Sequence, residues 1–104
     1  MGTPDFAIPV LSALLSTSYQ VVGVYTRPDV ISGRGRKIVP PPVKDYAANH
    51  GLRIFQPPSL TSQEVQDELG ALCLDVVIVA AYGLFLPRRL REMPKHSCLN
   101  VHPS

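Results

Sequence analysis

Asp75-Val76-Val77-Ile78-Val79-Ala80-Ala81 is a nearly unbroken apolar run that opens on one acid and is rich in β-branched residues. A strand with one wet face would alternate apolar and polar side chains. Continuous burial instead suits an inner strand of a parallel sheet covered on both faces. Working outward, Gln20–Tyr25 (QVVGVY), Leu52–Phe55 (LRIF) and Cys98–Val101 (CLNV) are further short runs bounded by polar residues, Gly or Pro, and they also read as strands.

Helical patterns separate these runs. Asp5 to Ser16 puts Ile8, Leu11 and Leu15 on one stripe, with Thr3 or Asp5 as candidate caps and Pro9 as a start or slight kink. Pro42 to His50 forms a second candidate, ended by Gly51. Thr61 with Glu64 resembles a capping box, after which Val65, Leu69 and Leu72 give a third apolar face. Strand and helix therefore alternate, which predicts an α/β, Rossmann-like doubly wound and mostly parallel sheet, with residues 1–104 as one partial domain. Residues 27–42 fit neither period and are expected to form a long loop, ordered on demand.

Both ends depart from the usual plan of such a sheet. Met1-Gly2-Thr3-Pro4-Asp5 reads as a turn entering a helix, yet a turn of this kind follows a strand. At the other end, Asn100-Val101-His102-Pro103-Ser104 follows a strand where functional groups collect. The expectation is a domain truncated at both ends, whose missing first strand belongs between QVVGVY and DVVIVAA and whose stability alone is doubtful.

Composition bounds the function. The chain has 104 residues, 45% hydrophobic and 17% charged, and a formal charge of +2, so overall charge does not single out a nucleic-acid binder. Distribution is more telling. Arg27, Arg34, Arg36, Lys37 and Lys44, half of the ten basic residues, share the stretch from Thr26 to Lys44 with Asp29 as its only acid. Cys73 and Cys98 lack metal-ligand spacing and read as buried small hydrophobes; no metal is expected. The absence of a leader pattern or a membrane-length apolar run favours a reduced cytoplasm and no membrane role.

Asn100 and His102 carry the chemistry to consider. Alternate strand residues share a face, so both can address one pocket, the amide donating to a developing oxyanion and the imidazole moving a proton. Taken alone, N-x-H is a weak signal, and a capping Asn beside a surface His explains it as well. The opening glycine turn lacks the G-x-G-x-x-G spacing of a dinucleotide site and reads as a structural turn. His50 and His96 read as surface residues, and Arg88, Arg89, Arg91 and Lys95 as a solvated helix face.

Several motifs then occur in one order: GTPDFA at residues 2–7, RPD at 27–29, GRGRK at 33–37, PPPVK at 40–44, AAYG-x-x-LP at 80–87 and N-x-H-P-S at 100–104. Together they resemble the folate-dependent formyltransferases, and within that group the methionyl-tRNA formyltransferase family, over essentially the whole chain. The resemblance implies the N-terminal formyltransferase domain, transferring a formyl group from 10-formyltetrahydrofolate to the amine of initiator methionyl-tRNA, in a cytoplasmic protein that is monomeric when full length. By residue matching, Asn100 and His102 are catalytic. Ser104 begins the folate-contacting loop, while Tyr82, Gly83, Leu84, Leu86 and Pro87 form the wall around the pterin. Arg34, Arg36 and Lys37 would contact tRNA from the 27–42 segment. The family's third catalytic group, a downstream Asp, is not in this sequence. Two alternatives stay open, a formyltransferase with another amine acceptor and a noncatalytic remnant; the basic segment favours tRNA over the first.

Overall fold

The computed structural model describes residues 1–2, 4–32, 35 and 37–101. Among them the elements run α1 (Ala7–Leu15), β1 (Val24–Tyr25), β2 (Val30–Ser32), β3 (Lys37–Val39), α2 (Pro42–Asn49), β4 (Ile54–Phe55), α3 (Gln63–Ala71), β5 (Val76–Ala80), α4 (Arg88–Glu92) and β6 (Ser97–Val101). Helix and parallel strand alternate as the sequence predicts, apart from one insertion.

Two parallel pairs form the sheet. β4 lies beside β1, with Val24 opposite Ile54, and β6 lies beside β5, from Val76 opposite Ser97 to Ala80 opposite Val101. Met1 and Gly2 stand between the pairs. The Gly2 N–H donates to the Tyr25 carbonyl at 2.9 Å, and the Ala80 N–H donates to the Met1 carbonyl at 2.8 Å. The resulting order, β4-β1-(Met1–Gly2)-β5-β6, puts these two residues where the sequence places the central strand. Gly is required at position 2 because an added Cβ would lie 2.6 Å from that of Ala7 and 2.8 Å from the Ala80 oxygen. Beside Met1 and Gly2, Val21, Val22, Val76 and Ile78 help line a cavity of about 990 Å³. The Met1 amino group donates to the Ile78 carbonyl at 2.6 Å, and its burial lowers its pKa to about 6.

The period-two geometry of a strand divides the core. Tyr25, Val77 and Val79 join Leu60, Leu69, Tyr82 and Leu90 in one buried cluster, which takes in α3 and α4. Their sequence neighbours Val24 and Ala80 join Ala7, Leu11, Val43 and Ala47 in the other, which takes in α1 and α2. Burying Leu69 or Leu60 contributes about 1.5–3 kcal/mol each. A helix pair on each face is the doubly wound arrangement.

Local chemistry explains the helix ends. α3 starts one residue later than the expected cap: the Ser62 hydroxyl accepts from the Val65 N–H at 3.3 Å, whereas the Thr61 hydroxyl pairs with that of Ser59. α1 begins at Ala7 without a side-chain cap, and Thr3 lies outside the described residues. Pro9 sits in the first turn of α1, where its missing N–H has no intrahelical partner to lose, so no kink is needed. α2 opens on Pro42 and is followed by Gly51 at φ +69°, as expected.

Two expectations are corrected. Residues 27–42 hold an antiparallel hairpin rather than an irregular loop, with Val30 opposite Val39, Ile31 opposite Ile38 and Ser32 opposite Lys37. Its strands are three residues each, too short for an alternation to stand out in sequence. Cys73 is exposed, not buried, because it takes a left-handed conformation (φ 52°) just after α3; Cys98 is half-buried on β6. His50 and His96 are exposed, as expected, and the His50 ring stacks on Tyr46. No helix among the described residues is long and apolar enough to cross a membrane.

Candidate active site

β5 delivers its carboxyl end into a tight turn. Ala81 and Gly83 both have positive φ, 52° and 87°, so the chain bends as it leaves the strand. A non-glycine residue in that region is uncommon and is retained only where surrounding structure enforces it. Here the enforcement comes from Tyr82, whose side chain is 2% exposed within the α3–α4 cluster. Burial, and then the neighbouring Tyr25, raise the Tyr82 hydroxyl well above its ordinary pKa, so it stays protonated. Leu84 and Leu86 pack against the same cluster, while Phe85 is 72% exposed.

Gly83 also packs closely against the segment leading into the hairpin. A Cβ there would lie 2.9 Å from Cδ of Arg27. Sequence reading singled out Gly83 for its motif; the structure supplies two physical reasons, its left-handed backbone and the Arg27 stem against it.

Asn100 stands near the carboxyl end of β6, opposite Val79 in the ladder. It lines a cavity of about 1040 Å³ together with Tyr82, Gly83, Leu84 and Leu86. Five of the expected residues thus share one wall, because parallel pairing of β5 and β6 brings both carboxyl ends to the same edge. Pro87 precedes α4 as its N-cap and is not among the lining residues. His102, Ser104, Arg34 and Arg36 lie outside the described residues, and Lys37 is exposed at the start of β3.

The sequence reading overlooked part of this wall. Arg91, Glu92, Lys95 and His96 line the cavity as well, adding charged groups of both signs to its flank. Arg88 and Arg89 do behave as a solvated face, paired with Glu92 at 2.7 Å and Asp67 at 3.0 Å. Beyond α4 the chain turns back to start β6: the Lys95 and His96 N–H groups donate to the Leu74 and Asp75 carbonyls just before β5. Only the sheet register reveals this. Burial pushes the Cys98 thiol up against the opposing pull of the Met1 amino group and Arg91, so this lining residue is a poor nucleophile. Among the described residues, no three His, Cys, Asp or Glu side chains gather as a metal site would need.

A wall that combines apolar side chains, a backbone-exposing turn and a side-chain amide suits a flat heteroaromatic molecule beside a group that develops negative charge on oxygen. Comparisons with known proteins identify the family. A family model described as formyl transferase matches residues 1–104. A methionyl-tRNA formyltransferase of Marinobacter nauticus is 53% identical over 103 residues, covering 99% of this chain and 33% of that protein. Counterparts of the same name from Hydrogenovibrio crunogenus and Dehalococcoides mccartyi are 52% and 50% identical, again over 33% of their length. The chain therefore spans about a third of the relatives it matches.

Proposed function

This chain belongs to the formyl transferase family, and on that premise we propose that it supplies the donor-side wall and two of the catalytic groups of a cytoplasmic enzyme that formylates initiator methionyl-tRNA from 10-formyltetrahydrofolate. The observation carrying this reading is that Asn100 shares one cavity wall with the turn from Tyr82 to Leu86. The pterin of the donor lies against Leu84 and Leu86 and takes hydrogen bonds from the turn's backbone.

The methionyl amine attacks the formyl carbon, its nitrogen lone pair forming the new C–N bond while the carbonyl π electrons move to oxygen. The Asn100 amide donates to that oxyanion. His102, two residues further along the chain, accepts the proton released by the attacking nitrogen and returns one to N10 of the folate. The oxyanion's electron pair then re-forms the carbonyl as the C–N10 bond breaks, that bond's pair leaving with the protonated N10, and tetrahydrofolate and formyl-methionyl-tRNA separate. Arg34, Arg36 and Lys37 meet phosphates of the tRNA acceptor end.

A chimera tests the acceptor and the hairpin together, with these 104 residues replacing the matching third of the M. nauticus relative. It should formylate methionyl-tRNA and leave an amino-sugar nucleotide untouched. Arg34→Ala should raise KM for tRNA and reduce the salt slope of binding by about one. Preference for the sugar, or an unchanged slope, contradicts the reading.

A further inference from the structure

The β2–β3 hairpin has no apolar seat. Val30, Ile31, Ile38 and Val39 are all exposed, between 43% and 69%. A two-stranded hairpin is marginal by itself, so packing does not fix the direction in which this one points. Its foot is another matter.

Asp29, immediately before β2, receives two hydrogen bonds from the Lys44 ammonium, at 3.0 Å to one carboxylate oxygen and 2.9 Å to the other. The Gln56 amide donates to the same carboxylate at 2.7 Å and to the Arg27 carbonyl at 3.1 Å. The ion pair is partly shielded, its side chains 30% and 27% exposed. Both partners stand on firm ground. Lys44 is in the first turn of α2, flanked by Val43, a core residue 2% exposed, and Gln56 directly follows β4. A cation in the first turn of a helix opposes the helix dipole, so α2 itself has no use for Lys44 there. The carboxylate from the hairpin foot offsets that penalty.

We infer that Asp29 is a positioning residue for tRNA: held by Lys44 and Gln56, it fixes the foot of the hairpin strand that runs on in sequence to the basic residues Arg34, Arg36 and Lys37. The inference rests on the reading of the hairpin as the tRNA contact. The Asp29 carboxylate is engaged by Lys44 and Gln56. It acts by fixing the point from which the basic segment departs, which reduces the ordering cost of binding a long charged partner.

Charge reversal in the same chimera tests the clamp. Asp29→Lys and Lys44→Asp should each raise KM for methionyl-tRNA roughly tenfold, with kcat and KM for the folate donor within about twofold. Combining the two restores the ion pair in reverse and should recover most of the lost affinity. A general folding defect would instead lower kcat and weaken both substrates. Gln56→Leu, which removes one arm while leaving both charges, should give a smaller rise in KM for tRNA alone. Arg34→Ala serves as the control. If it weakens tRNA binding while Asp29→Lys does not, or if the double reversal is no better than the single ones, the clamp inference is overturned and the hairpin reading stands. If Arg34→Ala is also without effect, the hairpin reading fails with it.

Discussion

Two parts of this molecule work from opposite structural premises. The turn from Ala81 to Leu86 is welded to the core through Tyr82, and its left-handed residues hold because everything beneath them is packed. The hairpin from Val30 to Val39 exposes its apolar side chains and is tied down chiefly at its foot, through Asp29. Formyl transfer needs an oxyanion donor held to a fraction of an ångström, whereas a polyanion can be met by an arm whose foot alone is fixed. Packing is concentrated around Tyr82, whereas the hairpin is anchored at its foot.

Substitutions can break or sharpen this contrast. Leu69→Ala, beneath the turn at 2% exposure, should destabilise the chimera by about 2–5 kcal/mol and weaken donor binding, read as a lower melting temperature and a raised folate KM. Gly83→Ala should cost about 1–3 kcal/mol, because it combines positive φ with the Arg27 contact. Gly35→Ala makes the matching test in the hairpin: φ is +91° there too, but nothing lies within 4 Å of an added Cβ, so only the smaller backbone penalty should appear in the denaturation midpoint. Ile38→Ser, 68% exposed on the hairpin, should change stability by no more than about 0.5 kcal/mol. A large loss from Ile38→Ser would mean that the arm is packed after all.

The smallest expected effect is electrostatic. Hydrogen bonds from Gln56 and then Lys44 hold the Asp29 carboxyl below its ordinary range. A depressed folded-state pKa means that the clamp's contribution is fully present above the unfolded value of 3.8 and fades as pH falls through the lower folded value. An NMR titration of the Asp29 carboxyl carbon should therefore show a midpoint below that of a free aspartate. A midpoint at the ordinary value would show an unformed clamp.

The same contrast explains what sequence could reveal. DVVIVAA announced an inner parallel strand because both of its faces are used, whereas Met1 and Gly2, read from sequence as the start of a turn, pair with Tyr25 and Ala80 in the central place. Asn100 and the Tyr82–Leu86 turn were legible from motif order, and the parallel register of β5 and β6 brought them together. The β2 and β3 strands were not legible, since three β-branched or polar residues on either side of a glycine-containing tip carry no period. Nor was the Asp29 clamp: residues 29, 44 and 56 come together only once β4 pairs with β1 and α2 docks on the sheet. The cap of α3 slipped by one residue because Thr61 and Ser62 are chemically equivalent candidates, and Thr61 is engaged by Ser59.

Asn100 carries the central claim, and single-turnover formylation of methionyl-tRNA by the chimera tests it most directly. The parent chimera should transfer the formyl group from 10-formyltetrahydrofolate, and Asn100→Ala should slow that step by about 100- to 1000-fold while tRNA affinity is kept. Unchanged transfer by Asn100→Ala, or a loss of tRNA binding as large as the loss of rate, would contradict the account.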